Sequence, residues 1–235
     1  MSHSSSVPNP NGGASGRREP MQPALGLDLM RQVLANANVA KAWKQVRSNK
    51  GAPGSDGMSI EDFLGFAREN WASIRRTLRD GTYRPQPVRQ KVIPKPNGGE
   101  RMLGIPSVID RVIQQAIAQV LTPLFDPLFS ESSFGFRPGR SAHGAVRQVQ
   151  RHIRAGYRVA VDIDLAKFFD RVDHDVLMTR VGRRVADKTL LRLIGRYLRA
   201  GVMVDSTLQP TTRGVPQGGP LAPPTLLQTF GGGAG

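Results

Sequence analysis

Apolar residues recur at helical spacing over much of this chain, and at strand-like spacing in a few short places. From about Leu27 to Asn49, the positions Met30, Val33, Leu34, Ala42, Trp43 and Val46 define one apolar face, and Gly51 supplies a stop signal. The loop "KGAPGSDG" follows. Ser59 and Asp62 then stand three apart, as in a capping box, and open a helix that buries Phe63, Phe66, Trp71, Ile74 and Leu78. Ser107 and Asp110 repeat the device before Val112, Ile113, Ala116, Ile117, Val120 and Leu121, a core helix limited by Pro123. Ser141 is placed to cap a helix reaching about Ala155. Further helices are expected from near Asp173 and over Asp187–Arg199, the latter carrying Leu190, Leu191, Ile194 and Leu198, with Gly201 just beyond its end as the C′ residue.

Strand signals are fewer. Residues 83–106 read as two short strands flanking the turn residues "PNGG". Tyr157, Val159, Ala160 and Val161 read as a buried strand over 157–163, and "GVMVDSTLQP" reads as a short hairpin followed by a Gly-rich loop. In "SSFGFRPGRSAHGAV", Gly135, Pro138 and Gly139 shape a structured loop, with Phe134 and Phe136 as its anchors. Helices interrupted by hairpins and one central strand predict an α+β domain. The Ser-, Pro- and Gly-rich residues 1–24 read as a disordered leader without the apolar core of a secretory signal.

Charge narrows the function. The 33 Lys and Arg residues against 18 Asp and Glu give +15, which calls for a polyanionic partner. Nucleic acid is favoured over a membrane: no apolar segment approaches the roughly 20 residues needed to span a bilayer, and the basic residues are spread along the chain. The absence of cysteine excludes disulfides and thiolate metal sites and fits a reducing, cytoplasmic setting. The four histidines show no zinc-ligand spacing.

The chemistry centres on "VAVDIDLAKFF". Carboxylates at the end of a buried strand are costly unless compensated. Asp162 and Asp164, two apart, can share one face of a strand. A Mg²⁺ ion takes one or two such carboxylates together with substrate phosphate oxygens, and neighbouring arginines offer the alternative of plain ion pairing. "DID" alone leaves both open. Phe169, five residues on from Asp164, can bound a nucleotide sugar site, and "QGG" at 217–219 offers an amide and a close backbone approach. Arg84, Arg89, Lys91, Lys95 and Arg101 decorate the predicted hairpin; Lys95 and Arg101 flank its turn, where they can converge on one anion or simply be solvated. Arg137 and Arg140 can contact RNA phosphates or solvent.

Taken together, "NKGAPGSDG", "IPKPNGGERMLGIPSVIDRVIQQAIAQVLTPLFDPLF", "SSFGFRPGRSAHGAV", "VAVDIDLAKFFDRVDHD" and "RGVPQGGPLAP" resemble the reverse transcriptases encoded by bacterial group II introns, the intron maturase family. The resemblance runs from about Ala42 to Pro223. It implies a right-hand polymerase, with fingers over 25–155 and a partial palm over 156–223. It implies that Asp164 binds catalytic metal, with the Leu165 carbonyl beside it, and that Phe169 is the gate selecting deoxynucleotides. Lys95 and Arg101 would hold the incoming dNTP, while Gln217, Gly218 and Gly219 would pack near the nascent base pair. The implied cofactor is Mg²⁺. The implied partners are intron RNA and an RNA template with its DNA primer.

The sequence departs from the family pattern at its end. A strand with an Ala-Asp-Asp motif, carrying the remaining metal carboxylates, is expected beyond "QGGPL"; no Asp or Glu follows Asp205. "PTLLQTFGGGAG" stands where a Leu-Leu-Ser-Asn helix is expected, and a frameshift just after Pro223 would account for this atypical tail at 224–235. The expectation is a truncated chain that does not polymerise alone, with an RNA-binding module or a nonfunctional remnant without catalysis as the alternatives.

Overall fold

The computed structural model describes residues 28–95, 98–165 and 167–221. The expected leader, and the tail after Pro223 with its proposed frameshift, lie outside these residues.

The predicted first helix is two helices, α1 (Leu29–Val33) and α2 (Asn36–Ser48). Ala35 between them is extended, with φ −61° and ψ 134°. The Asn38 amide holds the break, donating to the carbonyls of Val33 and Ala116, each at 3.0 Å. That second acceptor lies 78 residues away in α4 (Val108–Phe125), so the interruption is imposed by tertiary packing. The apolar period of α1 and α2 is kept because both halves pack on the same core.

α4 forms the centre of that core. Val108, Val112, Ile113, Ala116, Ile117 and Leu121 are buried, and the helix continues two residues past Pro123. Leu29, Met30 and Val33 of α1 and Ala42 and Val46 of α2 belong to the same cluster. So do Phe63 and Leu78 of α3 (Phe63–Arg79), Leu177 and Val181 of α7 (His174–Gly182), and Leu190, Leu193 and Ile194 of α8 (Lys188–Leu198). Each fully buried Leu or Ile contributes about 1.5–3 kcal/mol. Ser59 and Asp62 exchange side-chain bonds with each other's backbone N–H, each at 3.2 Å, as the capping-box spacing predicts. Asp187 caps α8 by accepting from Thr189 and Leu190, and its second oxygen accepts the Met30 N–H at 2.8 Å, pinning α1 to α8.

The hairpin consists of β1 (Val88–Pro94) and β2 (Glu100–Ile105), antiparallel, with Ile93 opposite Arg101. β3 (Val202–Val204) and β4 (Thr207–Gln209) form the second hairpin, turned by Asp205 and Ser206, both at positive φ. Val88 and Arg89 pair in parallel with Val202 and Met203, so the sheet order is β2-β1-β3-β4. Gly201 sits at φ +83°, where a Cβ would meet the Gln209 carbonyl at 2.9 Å. The "GAPG" loop docks on the start of α4. Arg89 and Arg111 donate to the Pro53 and Ala52 carbonyls, and a Cβ on Gly54 would meet the Ser107 backbone at 2.5 Å.

The expected buried strand at 157–163 is absent. Val159, Val161 and Ile163 are each about 80% exposed, at 85%, 79% and 81%, and no strand is formed there. A strand requires a neighbour for its N–H and C=O groups, and among the described residues this segment has none. α5 (Ala142–Arg154), capped by Ser141, buries none of its residues. Phe134 of the preceding loop is half-buried, whereas Phe136, expected as a second anchor, is 76% exposed and at φ +54°. The loop turns its ring outward.

Candidate nucleotide and nucleic-acid site

The Gly-rich loop at 213–219 organises the site. On one side it lies against the segment formed by α6 (Phe168–Arg171) and the start of α7. The N–H of Val215 donates to the Phe169 carbonyl, and that of Gly214 to Val172, each at 2.8 Å. Nε2 of the buried His174 donates to the Gly214 carbonyl at 2.7 Å. Gly214 has φ +83°, and a Cβ there would press on the carbonyls of Phe169 and Asp170 at 3.1 Å. On the other side, the Gly104 N–H of β2 donates to the Gln217 carbonyl at 2.9 Å. Gly218, at φ +119°, passes against the Gly104 carbonyl. Phe169, Gln217, Gly218 and the basic hairpin are thus one connected unit. A cavity of about 250 Å³ between loop and hairpin is lined by Gln90, Met102, Asp170, Arg213 and Gln217.

The hairpin register orders the basic residues. Lys91 and Ile93 share a face with Leu103 and Arg101. Lys95, one step beyond the strand, still donates its N–H to the Gly99 carbonyl at 3.0 Å and continues that row. Lys91, Lys95 and Arg101 are exposed. Arg89, in the same row, is committed to the Pro53 carbonyl.

Asp164 and Leu165 are not brought to this unit by any bond. Both are exposed in the unpaired 157–165 segment. The Asp164 carboxylate accepts the Leu165 N–H at 2.9 Å, and the Leu165 carbonyl accepts from Phe168 at 3.2 Å. Asp162 is exposed as well, so the shared strand face expected for the two acids does not form. Among the described residues no three His, Cys, Asp or Glu side chains gather as a metal site. One exposed carboxylate and a carbonyl already engaged do not fit a two-ion centre.

The loop arginines differ from expectation. Arg137 is 8% exposed, and all five of its N–H groups are used: on both carboxylate oxygens and the carbonyl of Asp126, and on the carbonyls of Ser130 and Ser133. Its guanidinium also lies over the Phe129 ring, 5.1 Å from the centroid. It clasps the loop and has no donor left for RNA. The hydrogen bonds from Arg137 hold the Asp126 carboxyl below the usual range. Arg140 binds Glu131 through its carboxylate and carbonyl, both at 2.7 Å.

Sequence reasoning read Asp110 as a local cap and missed its larger role. The buried carboxylate accepts from Tyr83 at 2.8 Å, Tyr197 at 3.0 Å, the Gln86 N–H at 2.9 Å and Ser107 at 2.9 Å. It joins the approach to β1, α4 and α8 beneath the hairpin. Burial pushes its pKa up, while these hydrogen bonds pull it down; burial prevails. The tyrosines, 27 and 87 residues away, gave no local signal.

Comparison with known proteins agrees with this architecture. Residues 93–230, more than half of the chain, match the family model "Reverse transcriptase (RNA-dependent DNA polymerase)". The chain belongs to the reverse transcriptase family. It is 38% identical over 183 residues to the group II intron-encoded protein LtrA of Lactococcus lactis subsp. cremoris, covering 77% of this chain and 30% of that protein. It is 34% identical over 201 residues to protein YkfC of Escherichia coli strain K12, covering 83% of this chain and 53% of YkfC. The chain thus spans about a third and about half of these two relatives. A partial Cas6-RT-Cas1–Cas2 complex shares the fold, with a TM-score of 0.56 and 24% identity over 86% of this chain and 33% of that one. No helix among the described residues is long and apolar enough to cross a membrane.

Proposed function

We propose that the chain forms the fingers, to about residue 155, and the first part of the palm of a group II intron-type RNA-directed DNA polymerase. The observation that carries this reading is the 213–219 loop, bonded at once to the Phe169 segment and to the edge of the basic hairpin. In this reading Lys95 and Arg101 hold the triphosphate of a dNTP, and Phe169 stands at its sugar. Gln217 and Gly218 lie beside the base pair between RNA template and DNA primer. Asp164 and the Leu165 carbonyl would contribute one corner of a Mg²⁺ site only if further carboxylates joined them, since the described residues do not form that centre. The cysteine-free composition suits a cytoplasmic protein, and the +15 charge suits intron RNA and its splicing-competent complexes.

Among the described residues no two-ion site is complete; in this reading they hold nucleic acid, and metal-dependent extension needs carboxylates that they do not supply. Primer extension tests this, with an RNA template, a DNA primer, dNTPs and Mg²⁺, beside an Asp164→Ala control. No extension is expected from either protein. Extension by the unmodified chain that is lost in Asp164→Ala would mean that a second polypeptide completes the site, and would overturn the inactivity of the chain.

A further inference from the structure

We propose that the basic face of α5 is a docking groove for the phosphate backbone of single-stranded RNA, with Arg147, Arg151 and Arg154 as its contacts. This rests on the RNA-binding reading above, and it moves the contact away from the loop arginines, which are engaged elsewhere.

Arg147, Arg151 and Arg154 stand at i, i+4 and i+7, so they share one helix face and rise along it by about 6 and 4.5 Å. All three are exposed. Arg147 and Arg154 have no hydrogen-bond or ion-pair partner among the described residues, and Arg151 meets only the Gln148 amide. The helix sequence "AHGAVRQVQRHIR" contains no acid. Like charges at this spacing repel one another, and a polyanion relieves that repulsion.

The face is also concave. Phe134, Glu131 and Arg140 of the preceding loop form the facing wall of a cavity of about 630 Å³, which the three arginines line. Gly144 makes the fit, because a Cβ there would press on the Phe134 ring at 3.2 Å. Glu131, the acid in that wall, is already neutralised by Arg140 at 2.7 Å. A groove with a loop as its second wall admits a strand, whereas a bilayer is flat. The apolar residues Val146, Val149 and Ile153 lie away from the groove, on another face of the helix. Guanidinium groups in a row along one axis suit successive phosphates of a single strand.

The test is fluorescence anisotropy of the full chain with an end-labelled, unstructured RNA of about 20 nucleotides, across a range of KCl concentrations. Three lost phosphate contacts flatten the slope of log K against log[salt] by about 2, at about 0.7 per contact. The triple variant Arg147→Gln/Arg151→Gln/Arg154→Gln is expected to show that change and at least a tenfold loss of affinity near physiological salt, with an unchanged circular dichroism spectrum. If the triple variant does not fold, each single Arg→Gln change is read instead, with an expected flattening of about 0.7. Unchanged affinity and slope in the variants, with RNA bound by the unmodified chain, overturn the groove and leave RNA binding standing. Absence of RNA binding by the unmodified chain overturns both. Loss of binding to phosphatidylserine vesicles with RNA binding retained assigns the face to a membrane surface instead.

Discussion

The Gly104 N–H donates to the Gln217 carbonyl at 2.9 Å, and that bond joins the edge of the basic hairpin to the loop that also holds the Phe169 segment. Gly104 permits it by having no side chain. A Cβ there would lie 2.7 Å from the Pro216 Cβ and 2.9 Å from a Val88 methyl. Neither a proline ring nor a β-branched valine yields easily. Gly104→Ala is expected to destabilise the chain by about 1–3 kcal/mol through overpacking. It should also speed proteolysis within 211–219. Urea unfolding and limited trypsin digestion measure the two effects, and an unchanged midpoint would show that the loop does not sit against β2.

Asp110 gives a prediction with a pH signature. Burial raises its folded pKa above the 3.8 of an ordinary aspartate. The native state therefore keeps the proton to higher pH than the unfolded chain does. Its contribution to stability is full below about 3.8 and is lost as pH rises through the folded value. Asp110→Asn removes this titration and sets an amide N–H against the Gln86 N–H or a tyrosine hydroxyl. The variant is expected to lose about 1–3 kcal/mol, with the penalty largest near pH 3.8 and shrinking at higher pH. Tyr197→Phe, which removes one donor, should cost about 1 kcal/mol. Urea melts of variant and parent at matched pH check this, because the other carboxylates cancel in the difference. A penalty that grows with pH would contradict a raised pKa.

Local signals were legible in the sequence, and distant ones were not. Ser59 with Asp62 and Ser141 before α5 carry their chemistry within three residues, and those hydrogen bonds formed as the spacing indicated. The strand register and the Lys95–Gly99 bond place Lys95 and Arg101 in one row, while the turn residues Pro96 and Asn97 lie outside the described residues. The break at Ala35 depends on the Ala116 carbonyl, and Asp110 on tyrosines far along the chain, so neither has a local pattern. Arg137 and Arg140 looked alike, as two loop arginines three apart. One meets five acceptors in the folded loop while the other meets a surface glutamate, and composition cannot distinguish them. The 157–163 run is apolar enough for a strand, but an apolar pattern does not state whether a partner strand is present.

The Arg137 clasp predicts that lysine is no substitute for arginine there. An ammonium has three donors and no planar fork, and it cannot serve both Asp126 oxygens and three carbonyls at once. Arg137→Lys and Arg137→Ala should both destabilise the chain, because either leaves Asp126 and the loop carbonyls short of donors. The folded-state pKa of Asp126 is lowered chiefly by its hydrogen bonds from Arg137, so this stability is present above about 3.8 and is lost as pH falls through the folded value. Thermal melts between acid and neutral pH measure this. The salt slope of RNA binding by the folded fraction should stay as in the parent, and a slope flattened by Arg137→Ala would place that residue at the RNA after all.

The exposed run from Arg158 to Asp164 yields the remaining prediction. Tyr157 donates its N–H to the His152 carbonyl, closing the end of α5, and Leu165 donates to Asp164. Between them, the backbone N–H groups have no partner among the described residues, while Val159, Val161 and Ile163 face solvent. Amides 158–164 should therefore exchange with deuterium at nearly the rate of an unfolded chain, while those of Leu103 and Val88 in the paired strands are protected. Val159→Lys and Val161→Lys should leave the urea midpoint within about 0.5 kcal/mol of the parent, because no packing is lost. They should also reduce self-association, since an apolar run with unpaired backbone groups is a template for edge pairing between copies. Exchange mass spectrometry and sedimentation provide both readouts. Protection at 158–164 that is concentration-dependent and abolished by Val161→Lys would mean that a second copy supplies the missing strand, whereas protection at high dilution would show that the run is paired within the chain.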